Sequence, residues 1–179
     1  MSNGATPSGT TELARLVDEI MKSGKAIGEE EWGKIAQQLA KTFSVKPDEV
    51  AILQLSDNGA ILRFIYPLRL QKVGSIPMTT TNSLAVRTVR DKRPEMINNF
   101  PAQKHPTVFE AVTLDPAAQE KQPIQKIMSA PLLVDGKSIG AVQISRKGKS
   151  PTTVGADFTM RDLTTLITTT GLLAKCFKK

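Results

Sequence analysis

Two apolar runs with a two-residue period each turn back at an Asx-Gly pair, and this feature constrains the fold most strongly. The first run reads VAILQLSDNGAILRFIY over residues 50–66, and the second reads KIMSAPLLVDGKSIGAVQIS over residues 126–145. Asn-Gly and Asp-Gly are the pairs that best fit the tight type I′ turn of a hairpin. The pattern therefore predicts two β-hairpins, whose strands pair in the antiparallel sense.

The sequence also indicates where each hairpin lies and how its strands pair. In the second hairpin apolar residues fall on both strand faces, which places its strands at the centre of a sheet. Pro131 cannot donate to a β-ladder, so we expect a bulge or an unpaired stretch there. With Asn58–Gly59 as the loop of the first hairpin, the predicted cross-strand pairs are Leu55–Leu62, Leu53–Phe64 and Ala51–Tyr66.

Three longer segments repeat apolar residues at helical spacing, two before the first hairpin and one at the end of the chain. The last of them opens with Thr159 and Asp162, the spacing of a capping box. Ser83 is a suitable N-cap for a shorter helix, and residues 95–98 form a brief strand. The predicted buried stripes are Leu13, Leu16, Val17, Ile20 and Met21; Trp32, Ile35, Ala36, Leu39, Ala40 and Phe43; and Leu163, Leu166, Ile167, Thr170, Leu173, Ala174 and Phe177.

These elements predict one α+β domain over residues 11–179, an antiparallel sheet with the terminal helices packed on one face. Residues 1–10 are small and polar, and we expect them to form a disordered lead. The segment between the brief strand and the second hairpin carries four of the eleven prolines. A connection of that length in a compact domain is usually functional or mobile.

Composition limits the classes of function. A single cysteine and the lack of an apolar run of about 18 residues favour a cytoplasmic protein without a membrane span. The net charge is +7, but aromatics make up only 4% of the chain, and single-strand binders need aromatic stacking platforms. Nucleic acid is therefore an unlikely partner. The densest basic groups are Arg87, Arg90, Lys92 and Arg93, and then Arg146, Lys147 and Lys149.

The C-terminal third of the chain resembles a known family. Pro131-Leu132 near a strand end, Gly140-Ala141-Val142 after the turn, and Phe158 four residues before Asp162 are similar to the second half of a GAF domain. The stretch SLAVRTVRDKRPEMINNF is similar to the helix-then-strand piece that leads to the pocket of such domains. The resemblance covers residues 17–177.

Membership would imply a PAS-like fold with a five- to six-stranded antiparallel sheet and a pocket on the face away from the terminal helices. It would also imply a homodimer formed through those helices, and an effector protein that receives the signal in trans. GAF domains bind cyclic nucleotides, bilins, haem, small metabolites or no ligand, so the resemblance identifies no cofactor and leaves the small molecule unidentified.

Polar residues in segments that resemble the pocket wall are the candidate ligand-binding residues. The candidate set is Thr79, Thr80, Thr81, Asn98, Asn99, His105, Phe109 and Ser129. Turns and helix caps are the competing explanation for the threonines and asparagines. His105 is the only histidine, and a lone loop histidine is more often a solvated surface group.

The cysteine count and the lack of catalytic motifs in the sequence argue against catalysis. The methionine sulfoxide reductases of the GAF family attack with one cysteine and resolve with another, whereas Cys176 is the only thiol here. No zinc-ligand spacing, catalytic triad or glycine-rich phosphate loop is present. We expect a sensory or signalling domain that is not an enzyme. An interaction scaffold without a ligand is the alternative, and a reductase-like enzyme is the third hypothesis.

Overall fold

The structure, a computed structural model, describes residues 7–72, 75–102 and 123–177. Short 3₁₀ turns at Pro47–Glu49, Phe100–Ala102 and Ala174–Phe177 connect or extend the main elements. The helices are α1 (Pro7–Lys22), α2 (Glu29–Phe43), α3 (Leu68–Gln71), α4 (Leu84–Asp91) and α5 (Met160–Leu173). The strands are β1 (Val50–Leu55), β2 (Ile61–Tyr66), β3 (Ser75–Pro77), β4 (Glu95–Ile97), β5 (Ile124–Val134) and β6 (Lys137–Lys147).

A single six-stranded sheet has the order β3-β2-β1-β6-β5-β4, and every neighbouring pair is antiparallel. The two predicted hairpins are β1–β2 and β5–β6, and they join where β1 pairs with β6. The predicted α+β class and antiparallel sheet are confirmed. So is the central position of β5 and β6, which are 11 residues long and buried along most of their length.

The two faces of the sheet carry separate apolar cores. Helices α1, α2 and α5 pack on one face, which we call the three-helix face, against residues such as Val50, Met128 and Val142. Helices α3 and α4 pack on the other, the α4 face, against residues such as Leu53 and Ile127. The predicted packing of the terminal helices on one face is confirmed.

The helical stripes are mostly as predicted. All six apolar residues predicted for α2 are buried, and Glu29, Glu30 and Glu31 occupy its first turn. Two predictions are wrong, because Met21 is 42% and Ile167 47% exposed. In α5 the buried face includes Thr169 and Thr170, so it is rotated away from Ile167.

The second hairpin turns as predicted, and the first does not. Asp135 and Gly136 both have positive φ, as a type I′ turn requires. At the first turn only Gly59 has positive φ, and its N–H donates to the Ser56 carbonyl. Asn58 Oδ1 accepts instead from the Ala60 N–H at 3.1 Å. This Asx-type bond stabilises a longer loop, so the type I′ prediction at Asn58–Gly59 is wrong.

The strand register departs from the prediction at two points. A shift between Ile52 and Leu53 places Ile52, not Ala51, opposite Tyr66. Pro131 keeps its place opposite Ala141, and the irregularity expected there falls between Leu132 and Leu133. The other predicted pairs, Leu53–Phe64 and Leu55–Leu62, are present.

Close approach of β1 and β6 requires a glycine. A Cβ at position 140 would overlap the Leu53 carbonyl oxygen and stand 3.2 Å from the Gln54 Cα. Gly140 therefore allows the two hairpins to join into one sheet. At the N-terminus α1 begins at Pro7, inside the segment 1–10 that we expected to be disordered; residues 1–6 lie outside the described residues.

Candidate functional site

A chain of polar side chains crosses the α4 face at the middle of the sheet. Ser129 of β5 is fully buried, and its hydroxyl lies 2.7 Å from the hydroxyl of Thr88 on α4. On its other side Gln143 of β6 donates from Nε2 to Ser129 Oγ at 3.3 Å. Thr88 is fully buried and Gln143 is 2% exposed. We call these three residues the polar column.

The direction of each hydrogen bond in the polar column follows from the number of protons available. Thr88 Oγ1 donates its one proton to the Leu84 carbonyl at 2.8 Å. With the Thr88 proton on the Leu84 carbonyl, Ser129 is the donor in its bond to Thr88, because each hydroxyl has a single proton. Ser129 can then only accept from Gln143. The NH₂ group of Gln143 faces Ser129, and the amide oxygen points away from it.

That amide oxygen is the unusual feature of the site. Gln143 Oε1 is buried and has no hydrogen-bond partner in the described part of the chain. An unpaired buried acceptor costs about 1–3 kcal/mol, and such groups in native proteins call for an explanation. The Oε1 atom of Gln125, at the start of β5, is also buried and unpaired among the described residues. The α4 face thus offers, at Gln143, an acceptor that the described residues leave without a donor.

Helix α4 is fixed over the polar column by its cap and by an ion pair. The Ser83 hydroxyl accepts from the Val86 N–H, which confirms the predicted N-cap. Arg87 Nε and Nη2 donate to the two carboxylate oxygens of Glu95 at 2.7 and 3.0 Å. A bidentate pair of this kind restricts orientation as well as distance. Glu95 lies opposite Ser129, so the pair joins α4 to the sheet beside the site.

The other candidate residues have different positions. Thr79 and Thr81 are exposed, and the Thr80 N–H donates to the Pro77 carbonyl in the turn after β3. Within the described residues, no hydrogen bond connects these threonines to the polar column. Only Ser129 of the candidate set belongs to it, and His105 and Phe109 lie outside the described residues.

Asn98 binds the backbone that leads into α5. Its Nδ2 donates to the Phe158 carbonyl at 3.0 Å, and its Oδ1 accepts from the Phe158 N–H at 2.8 Å. Two bonds to the backbone of one residue make Asn98 a structural clamp, and neighbouring Asn99 is exposed. The predicted pocket role of these two asparagines gains no support from their contacts.

The residues that sequence reasoning missed are Thr88 and Gln143. Both look like ordinary positions, one in a short amphipathic helix and one in an apolar strand. The available signal was a polar residue inside a run that is apolar on both faces, as Gln143 is between Val142 and Ile144. Such a residue must find a partner or remain unpaired in the core.

Several basic residues that the sequence grouped together are occupied by intramolecular contacts. Arg146 is 7% exposed, donates to the Phe43 carbonyl and lies over the Phe158 ring at 4.5 Å. Burial lowers the pKa of Lys147, whose Nζ donates to the Asp48 carbonyl at 3.0 Å. Arg90 pairs with Asp91. These contacts leave fewer cations for a phosphate backbone.

The single thiol lies on the opposite side of the sheet from the polar column. Cys176 packs against the core of the three-helix face and is partly buried. Burial raises the pKa of the Cys176 thiol to about 11. A thiol with this pKa is almost entirely protonated at neutral pH, and the protonated form is a poor nucleophile.

The described residues contain no group of three or more His, Cys, Asp or Glu side chains placed to hold a metal ion. They also contain no helix with the length and apolar character needed to cross a bilayer.

Comparison with known proteins agrees with this architecture. The GAF domain model matches residues 29–176. The chain therefore belongs to the GAF domain family, as the sequence resemblance predicted. No curated protein sequence matches it.

Solved structures of three kinds share the fold. The chain is 15% identical to the nlh2 GAF domain of A. aeolicus in an inactive state, with a TM-score of 0.62 over 95% of this chain and 93% of that one. A methyl-accepting chemotaxis protein gives 14% identity and a TM-score of 0.67, covering 90% and 94% of the two chains. The free methionine-R-sulfoxide reductase of Neisseria meningitidis, solved with its substrate, gives 15% identity and a TM-score of 0.62, covering 97% of this chain and 92% of that one. At these identities only the fold is shared.

The Asn98 clamp can be tested against its neighbour. Replacing Asn98 with alanine removes both bonds to Phe158, and we expect a loss of about 1–3 kcal/mol in the free energy of unfolding. Asn99→Ala, an exposed amide next to it, should change stability by about 0.5 kcal/mol or less. Urea unfolding of both variants measures the difference. Equal effects would show that the clamp does not hold the α5 entry.

Proposed function

We propose that this chain is a regulatory sensory domain that binds a small molecule on its α4 face. The observation that carries the proposal is Gln143 Oε1, a buried acceptor beside the Ser129 hydroxyl to which residues 7–72, 75–102 and 123–177 provide no donor. A ligand N–H or O–H that bonds to this oxygen would remove the cost of leaving it unpaired. Regulatory and sensory roles are also common among GAF domains.

A path for the signal runs from the site to α5. Strands β4, β5 and β6 meet at the site, where Glu95, Ser129 and Gln143 lie side by side. The same three strands also hold the backbone just before α5. Asn98, directly after β4, binds Phe158, and Lys126 of β5 donates to the Gly155 carbonyl at 2.9 Å.

The third contact comes from β6, where Arg146 donates to the Ala156 carbonyl and packs on Phe158. Lys126 also pairs with Asp157 at 2.7 Å. Because packed interiors transmit small displacements, a ligand that moves β6 relative to β5 would shift the start of α5. This is the route by which ligand state would reach the terminal helices.

A second copy of the chain is the partner that we propose for those helices. Met160, Thr164, Ile167 and Gly171 follow a 4-3-4 spacing and are all exposed, which is the spacing of a helix–helix seam. Met160 is 66% exposed, and Met21 of α1 adds another exposed apolar side chain. A homodimer would bury this stripe, and an effector protein in trans would read the arrangement of the helices.

The remaining parts of the proposal are a cytoplasmic location, no nucleic-acid partner and no catalytic activity. The protonated Cys176 thiol supports the last of these, since it is the only cysteine. An interaction scaffold that binds no small molecule is the competing function. It would leave Gln143 Oε1 unpaired or bonded to water.

The ligand site is tested by thermal unfolding in fractions of a small-metabolite extract. A ligand at a hundredfold excess over its Kd stabilises the native state by about 2.7 kcal/mol. We expect at least one fraction to raise the Tm of the wild-type protein and to leave that of Gln143→Leu unchanged. Without ligand the variant should be within about 1 kcal/mol of wild type, because it loses an unpaired acceptor together with one hydrogen bond.

Gln37→Leu is the matched control, since Gln37 is an exposed amide on α2, far in the fold from α4. It should respond to the active fraction like wild type. Absence of any shift in the wild-type protein across all fractions would favour the scaffold. An equal shift in Gln143→Leu would place the ligand elsewhere.

The dimer is tested by a charge in the exposed stripe of α5. Ile167→Lys places an ammonium group in the proposed seam, and burying an unpaired charge there is costly. We expect light scattering to give a dimer mass for wild type and a monomer mass for Ile167→Lys, with little change in Tm measured at low concentration. Gln37→Lys adds the same charge outside the stripe and should remain dimeric. A monomeric wild type would refute the seam.

A further inference from the structure

A groove on the three-helix side of the molecule has no role in the function proposed above. It lies between the start of α2, the 3₁₀ turn Ala174–Phe177 and strands β1 and β2, and its volume is about 470 Å³. Ligand pockets commonly measure about 300–1,000 Å³. The polar column faces the other side of the sheet, so this groove is a separate cavity.

The walls of the groove are aromatic and aliphatic. Trp32 and Phe177 form one wall, with ring centroids 5.5 Å apart, and Ile27 and Ile65 complete the apolar lining. Aromatic rings attract cations through the negative potential over their faces, and tryptophan does so most strongly. The walls therefore suit a ligand with an apolar body and tolerate a positive charge near it.

Charge at the groove favours a cation more directly. Glu29 is the one formally charged side chain among the described residues that line it, and none of these is lysine or arginine. The described residues provide Glu29 with no ion pair, whereas its neighbour Glu30 pairs with Lys34 at 3.2 Å. In a chain with a net charge of +7, the described lining of this groove thus carries a negative formal charge.

The N-terminus of α2 would ordinarily favour an anion in the same place. Here the positive end of the α2 dipole is already compensated by groups of the chain itself. The Gly28 N–H donates to Glu31 Oε2 at 2.8 Å, and three carboxylates stand in the first turn. An anionic ligand would meet Glu29 and would find the Gly28 N–H already bonded. Amide groups of Gln54 and Gln71 at the groove provide neutral polar contacts.

The geometry points to a second ligand site in this groove, one that takes a small organic ammonium with an aromatic or apolar body. The body packs against Trp32 and Phe177, and the ammonium group lies toward Glu29. The same carboxylate disfavours an anion of the same size and shape.

The chain contains its own reporters for this site. Trp32 is the only tryptophan and Cys176, which also lines the groove, is the only cysteine. Phenethylamine and phenylacetate are matched probes, since they share the ring and differ in the sign of the charge. We expect phenethylamine to change the Trp32 emission saturably and to slow the alkylation of Cys176, and phenylacetate to do neither at the same concentration.

Substitution at Glu29 identifies the recognition group. Glu29→Gln should raise the Kd for phenethylamine by about two- to fivefold, the size expected of a solvent-accessible charge pair. Glu30→Gln removes the same charge from the same helical turn outside the groove and should leave the Kd unchanged. No saturable response to either probe would refute the site. Equal binding of the two probes, or equal effects of the two substitutions, would refute recognition of a cation.

Discussion

The pairing of β5 with β6 is the interaction on which the rest of the structure depends. Both strands are buried on two faces, so neighbouring residues along each strand belong to different cores. Met128 and Val142 pack under the terminal helices, while Ser129 and Gln143, one residue further along each strand, belong to the polar column on the α4 face. The hairpin is thus in direct contact with both the proposed ligand site and the proposed output helices.

The polar contacts of this hairpin are arranged in two layers. On the α4 face the polar column ends in an amide oxygen that has no donor in the described part of the chain. On the three-helix face the buried cations Lys126 and Arg146 bond to backbone carbonyls just before α5, where the Thr159 and Asp162 capping box starts the helix. Hydrogen bonds to backbone carbonyls fix the output side, although Arg146 Nε has no partner among the described residues, and the Gln143 amide oxygen is left unpaired by those residues on the sensing side.

Periodicity predicted most of the fold, because burial on one or two faces leaves a direct trace in the sequence. The two hairpins, the three long helices, the Ser83 cap and the Thr159–Asp162 box were all predicted. The first turn was not, because the Asn58 side chain bonds to the Ala60 N–H and competes with the tight turn. Ile167 was misplaced because a stripe read from spacing does not fix the rotation of a helix against its neighbours. Of the site, only Ser129 was predicted. Thr88 and Gln143 reach it from two other elements, and sequence spacing does not show which side chains meet across a sheet.

The orientation of the Gln143 amide is the central claim, and nuclear magnetic resonance of the side-chain amides tests it directly. With the NH₂ group held against Ser129, its protons should show nuclear Overhauser contacts to the Ser129 side chain and should exchange with water far more slowly than those of exposed Gln37. Addition of the stabilising metabolite fraction should shift the Gln143 Cδ resonance, since Oε1 would gain a donor. Fast exchange at Gln143, or a ligand that stabilises the protein without moving this resonance, would contradict the account.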